Sequence, residues 1–384
     1  MSAENDARLA EAKSLPIKEI ADRLGLNELK RAGREWVGPC PKCGGSDRFG
    51  INADRGVYNC RSCGGGDGIS LVSLVLGLEF KDALSWLVGD ITASLDPEEA
   101  RRRKERADRQ ARERARAASN ERNKAINLAR EIWNQGRPAE NTMVRRYLKL
   151  RGFSKKWLPE LPECLRYHPK LRYTVWSDGA WEAIHEGPAM LAMVQEPSGA
   201  LIGVHRTWID LETPSGKAAI EHGGKAQPAK KMLGSKKGGS IRLSGYSEDR
   251  SVLVVGEGIE TTLSAMVAAD IPDCDYWAGV DLGNMSGRRL PVENPKTGKS
   301  STRMSDVPDL SDRESFVPPP WIERLIFIQD GDSAPGQTRA KLIAGLMRAK
   351  AHVPSLTAQI VHAGKGVDLN DVLRGKSAEN EGVA

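Results

Sequence analysis

No apolar run in this 384-residue sequence is long enough to cross a membrane. The longest, 189–194, is strand-sized, whereas a transmembrane helix needs about 20 residues. Residues 1–13 are polar and charged, without the apolar centre of a secretory signal. Cysteine is scarce: six residues are too few for a disulfide scaffold of this size, and four of them are bunched. That usage fits a reducing cytoplasm better than secretion. The six histidines are scattered, with no zinc-protease or triad spacing. Gly298-Lys299-Ser300 resembles the end of a phosphate-binding loop, but Glu293 stands where the leading glycine belongs and no strand feeds it. An ATPase motor is therefore not expected. A large excess of either charge is also lacking. Lys+Arg 57 against Asp+Glu 51 leaves +6, and eleven basic against six acidic residues in 98–124 account for most of it. The total permits a nucleic-acid partner without requiring one.

The length suggests two or three domains. Apolar spacing predicts helices over 17–24, 69–76 and 80–87, the first stopped by Gly25. The stretch 98–124 alternates charges and has no large apolar residue, so it reads as an exposed helical linker. Helices are expected over 125–135 and 143–150, then strands over 189–195, 201–209 and 240–243, with 212–239 a Gly- and Lys-rich loop around one strand. From Arg250 the elements alternate: strands 252–255, 276–280, 325–329 and 356–361, helices 260–269 and 338–350. Alternation of this kind predicts a mostly parallel sheet with helices on its faces. The polar stretch 283–320 is long for a loop, so it is expected to be functional or mobile.

Cys40-x2-Cys43 and Cys60-x2-Cys63 form two knuckles separated by sixteen residues. Each places two thiolates on a tight turn backed by glycine, and together they complete a tetrahedral four-thiolate site of the structural zinc type. No position remains for a catalytic water. Lys42, Arg48, Arg55 and Arg61 surround the knuckles, with Trp36, Phe49 and Tyr58 interleaved. Cations with stackable rings suit single-stranded DNA, although Phe49 and Tyr58 also read as the ribbon's small core. Cys164 and Cys274 stand alone and read as ordinary semi-buried thiols.

Carboxylates follow three of the C-terminal strands: Glu257 in a glycine-flanked turn, Asp330 and Asp332 in the next, and Asp368 with Asn370 and Asp371 in the last. In a parallel sheet these turns share one edge. Clustered carboxylates among small residues suit Mg²⁺, which keeps waters and meets phosphates, the apparatus of metal-assisted phosphoryl or nucleotidyl transfer.

The two sites, in this order, resemble those of the DnaG-type DNA primases, especially phage and plasmid relatives. The match runs through Leu15-Pro16-Ile17-Lys18-Glu19-Ile20 and residues 29–41 into the zinc site, and out through residues 58–70. Replicative bacterial members commonly have histidine as second ligand; Cys43 stands there, as in phage-type ribbons. The C-terminal segment resembles the Toprim domain, with Glu257 as the motif glutamate, Asp330 and Asp332 as its D-x-D, and Asp368 with Asn370 as its weaker third motif. The resemblance implies Mg²⁺ or Mn²⁺ at Asp330, Asp332 and Asp368, with Glu257 as acid/base or further metal support. In the middle, 201–206 resembles the basic strand of the primase core and 230–234 its lysine-bearing strand. Arg206, Lys230 and Lys231 would then hold nucleotide triphosphate or template backbone.

The resemblance implies a multidomain α/β protein. Its parts would be a zinc-binding domain over 1–95, a linker over 96–124, the first part of an α+β primase core over 125–247, a Rossmann-like Toprim domain over 248–375 and a tail. Its activity would be synthesis of RNA primers on single-stranded DNA from NTPs, with Lys42 and Arg61 among the DNA contacts and a replicative helicase in trans. Two rivals stay open: a Toprim nuclease, and a non-enzymatic DNA clamp of the recombination-mediator kind. A topoisomerase ranks last, since no tyrosine-bearing strand-passage region is recognisable.

Overall fold

In the N-terminal region strands built around the two glycine-backed cysteine turns lie between helical segments. The computed structural model describes residues 3–33, 35–89, 97–177, 179–269, 271–293, 300–330, 335–362, 364, 366 and 368–375. Two compact units result, one of residues 1–121 with 174–183, the other of 122–173 with 184–384.

In the first unit Lys30–Ala32, Glu35–Cys40, Gly44–Asn52, Val57–Cys60 and Gly64–Gly66 form an antiparallel sheet in chain order. Helix Gly68–Leu76 follows. Asp67 caps it by accepting from Ser70 N at 2.9 Å, and Gly77 closes it at φ 69°, a left-handed conformation that glycine adopts without strain. Ile17, Ile20, Phe49, Ile51, Leu71 and Val72 are buried together. The helices expected over 17–24, 69–76 and 80–87 appear as Ile17–Arg23, Gly68–Leu76 and Phe80–Val88.

The charged segment is helical, but it does not stop where composition changes. A single helix, Pro97–Gln135, replaces the linker and the separate helix expected over 125–135. No breaker stands between the two, and alanine with long charged residues propagates helix as readily as the apolar positions that follow. Thr142 accepts from Val144 N at 3.2 Å and caps the expected helix Met143–Leu150.

Among the described residues two five-stranded sheets lie mostly in the second unit, with two small two-stranded ones beside them. One runs in the order Lys230–Gly234, Leu201–Trp208, Ala180–Gln195, Leu165–Ser177, Arg137–Pro138. Strand 165–177 is missing from the sequence reading, although Leu165, Tyr167, Leu171, Tyr173 and Val175 alternate with Arg166, His168, Lys170, Arg172 and Thr174; Pro169 interrupts the run. The region 212–239 carries three strands rather than one: Ile220–His222, Lys225–Gln227 and Lys230–Gly234.

The other sheet has parallel strands in the order Cys274–Ala278, Val252–Gly256, Arg324–Gln329, Thr357–His362. Helices Ile259–Ala268 and Pro335–His352 make two of the crossovers. Ile241–Arg242 joins its edge antiparallel to Trp277 and Ala278, so the strand expected over 240–243 belongs to this sheet and not to the middle segment. The strand expected over 276–280 ends at Ala278.

The stretch 283–320 is anchored over its described residues. Helix Leu282–Ser286 starts it, and the fully buried Arg348 donates to the carbonyls of Arg288, Asp309 and Asp312 at 2.8–3.1 Å. The resemblance of 298–300 to a phosphate loop falls mostly outside the described residues, as do 376–384. Among the described residues no helix is long and apolar enough to cross a membrane.

Candidate zinc centre and acid–lysine cavity

The four cysteines come together as their spacing requires. All four Sγ atoms lie within 4.8 Å of one another, with Cys40–Cys63 at 3.9 Å and Cys43–Cys60 at 3.6 Å. A tetrahedron with Zn–S bonds of about 2.3 Å has edges of about 3.8 Å. Cys60 Sγ also accepts from the N–H groups of Ser62 and Cys63, each at 3.4 Å. Gly44 and Gly64 take φ of 65° and 87° in the turns beside the sulfurs, a conformation that would strain any side chain there. The donor set and spacing fit zinc.

Around it Lys42 is exposed, and the exposed Arg61 pairs loosely with Asp47 at 3.6 Å. Phe49 and Tyr58 stack at 5.6 Å between centroids and are buried, so they are the ribbon's core and not a surface for bases. Trp36 is half-buried, with Lys18 Nζ 4.6 Å from its ring centre.

Glu257, Asp330 and Asp368 line one cavity of about 260 Å³ at the carboxyl edge of the parallel sheet. Glu257 directly follows strand Val252–Gly256, Asp330 directly follows Arg324–Gln329, and Asp368 lies six residues past Thr357–His362. Thr261 Oγ1 lies 3.3 Å from both oxygens of Asp330. Asp368 caps helix Leu369–Leu373 by accepting from Asp371 N at 2.6 Å. Asn370 is buried and donates to Arg151 O at 2.8 Å, a structural contact. Asp332 lies outside the described residues. Among the described residues only the cysteine quartet closes to the spacing of a single ligand shell. Three oxygen donors sharing a cavity more loosely suit a hard cation that keeps waters and bridges to phosphate. Val280, also on this wall, holds φ at 73°, a strained conformation for a β-branched residue.

Basic side chains share the lining. Lys230 lines the cavity with Lys217, Arg151 and His205. Register explains why Arg206 and Lys231 do not. They pair with each other across the strands, while Lys230 and His205 occupy the alternate positions. Arg206 is buried over the Trp208 ring and donates to Met232 O at 3.3 Å, and Lys231 Nζ sits 4.4 Å from the centre of the Tyr173 ring. Burial pulls the Arg206 guanidinium down to about 10, and burial together with Arg206 lowers Lys231.

Glu260, Lys217, Tyr147 and His205 are absent from the sequence reading. Glu260 accepts from Tyr147 Oη at 2.6 Å and pairs with Lys217 at 3.1 Å and Lys230 at 2.9 Å. Burial pushes its carboxyl up, but the two ammonium groups and the hydroxyl outweigh this and hold it well below the usual carboxylate range. Burial lowers Lys217. Burial, with Lys230, takes His205 down to about 4, so its imidazole is neutral at pH 7. One signal for Glu260 was present: an acid in the first turn of an otherwise apolar helix must find partners when buried. Lys217, in a Gly- and Lys-rich stretch, carried none.

Residues 12–103 match the family model of the CHC2 zinc finger, the zinc ribbon of DnaG. This chain carries a DnaG-type zinc ribbon. Residues 123–243 match a second model, Domain of unknown function (DUF7146). A DNA primase of Myxococcus xanthus is 29% identical over 152 residues, covering 38% of this chain and 23% of its own length. The chain thus spans about a quarter of that curated relative. Among solved structures, the zinc-binding and RNA polymerase domains of the Aquifex aeolicus primase are similar over 97% of this chain and 82% of that one, at 14% identity and a TM-score of 0.34. The primase fragment of the bacteriophage T7 primase-helicase protein aligns over 89% and 95%, at 14% identity and a TM-score of 0.32. A DNA primase domain from Pseudomonas aeruginosa aligns over 66% and 75%, at 11% identity and 0.39.

Proposed function

We propose that the protein is a DNA primase that makes short RNA primers on single-stranded DNA by nucleotidyl transfer. The observation that carries this reading is the cavity lined together by Glu257, Asp330, Asp368, Lys217 and Lys230, in a chain with a DnaG-type ribbon. The parallel sheet would be a Toprim domain, as its strand-end acids suggest, with phage-type character suggested by Cys43. Mg²⁺ or Mn²⁺ held by Asp330 and Asp368, with Asp332, would supply charge neutralisation at the α-phosphate and lower the pKa of the attacking hydroxyl. The protein's own groups would position and neutralise. Lys217 and Lys230 would receive phosphate oxygens, and Glu257 would support the metal or take the proton of the attacking 3′-hydroxyl. The ribbon's exposed Lys42 and Arg61 would contact template backbone. Lys231, on the opposite sheet face, would serve template backbone rather than the reacting nucleotide, while the buried Arg206 supports the sheet. A replicative helicase would act in trans.

The test is incubation with single-stranded DNA, labelled NTPs and Mg²⁺ or Mn²⁺, beside Asp330→Ala. Short metal-dependent RNA that disappears in the variant is expected. Shortened template would indicate a nuclease, and DNA retention without either product a clamp; each would overturn the reading.

A further inference from the structure

Glu260 is 5% exposed, and the side chains that satisfy it are all donors. Lys217 approaches Oε1, Lys230 approaches Oε2, and the Tyr147 hydroxyl adds a bond to Oε1. The three partners come from separate segments: helix Met143–Leu150, the loop after strand Leu201–Trp208, and strand Lys230–Gly234. Two ammonium groups against one carboxylate leave the cluster positive, and both lysines line the cavity with the acids.

A structural hub alone does not call for this composition. Buried ion pairs add little net stability over apolar side chains of like volume, because desolvation offsets the attraction. One lysine would suffice to neutralise Glu260; the second brings a further ammonium to a cavity that Glu257, Asp330 and Asp368 also line. Each ammonium has three N–H donors, and Glu260 engages the two groups at opposite oxygens. That fixes two nitrogens side by side, the arrangement that a chain of linked phosphates can bridge with successive oxygens.

On the nucleotidyl-transfer reading of this cavity, we infer that Glu260 is a positioning residue holding Lys217 and Lys230 as a fixed pair, and that this pair takes the polyphosphate of a nucleoside triphosphate.

Binding of inorganic tripolyphosphate to the zinc-loaded full chain, followed by isothermal titration calorimetry without added Mg²⁺ or Mn²⁺, reads the pair directly. Lys217→Gln and Lys230→Gln are each expected to weaken it about tenfold or more, the size of one charge-assisted hydrogen bond. Glu260→Gln decides by its sign. Removing a carboxylate beside an anion site should tighten binding if only charge matters, whereas loss of held positions should weaken it. Should Glu260→Gln fail to fold in a thermal-unfolding control, Glu260→Asp keeps the charge but draws the carboxylate back, and weaker binding is again expected. Unchanged or tighter binding in a folded Glu260 variant overturns the positioning role, and unchanged binding in both lysine variants overturns the pair. Primer synthesis is scored on the same proteins. Tripolyphosphate bound as expected with no primer made would break the primase reading and leave the pair standing.

Discussion

The zinc centre takes all its ligands from residues 40–63, on two turns of one small sheet, whereas the cavity draws its walls from residues as far apart as Arg151 and Asp368. In the first, spacing within each knuckle and the pairing of three consecutive strands bring the sulfurs together. In the second, nothing local relates Lys217 to Asp330; a strand register, a helix N-terminus and a sheet edge must each be right before the groups meet. The first should therefore fail by losing its metal, and the second by losing position.

The largest expected effect separates the two. Structural zinc contributes on the order of 10 kcal/mol to the folding of small ribbons. Chelation, or Cys60→Ser, should thus remove amide exchange protection over 35–66 while strands 252–256 and 324–329 keep theirs; retained protection in the ribbon would break the comparison. Next, Asp330→Ala should lower primer synthesis by at least about a hundredfold, with zinc content unchanged by metal analysis.

A pH dependence follows from His205. Burial, with Lys230, holds its imidazole at about 4 rather than 6.5, so the unfolded chain binds more protons between those values. Its contribution to stability is complete above pH 6.5 and falls away toward pH 4. It amounts to about 3 kcal/mol at the limit, and urea unfolding across that window should be flatter for His205→Asn. Tyr147→Phe removes one bond to a buried carboxylate and should cost about 1–2 kcal/mol in the same assay. Smallest is Arg61→Ala. Its exposed pairing with Asp47 should leave stability within about 0.5 kcal/mol, while the salt slope of single-strand binding falls by about one if it meets a phosphate.

The same contrast explains what could be read in advance. Cys40, Cys43, Cys60 and Cys63 were legible because two-residue spacing is itself the geometry. The parallel sheet and the meeting of Glu257, Asp330 and Asp368 were legible because strand–helix alternation puts strand ends on one edge. Lys230 could be named but not told apart from Lys231, since the strand's facing depends on register against 201–208. Arg206 illustrates the same limit: a basic residue in a sheet motif proved to be buried over Trp208. Strand 165–177 alternates apolar and polar residues but is interrupted by Pro169, Lys217 gave no signal, and helix 97–135 gave a misleading change of composition in place of an end.

The central claim is that carboxylates from separate strand ends share one cation in the cavity that the lysine pair also lines. Electron paramagnetic resonance of Mn²⁺ titrated into the zinc-loaded protein tests it most directly. Asp330→Ala and Asp368→Ala should each remove or weaken the same bound Mn²⁺. Full Mn²⁺ binding in both variants would contradict the account.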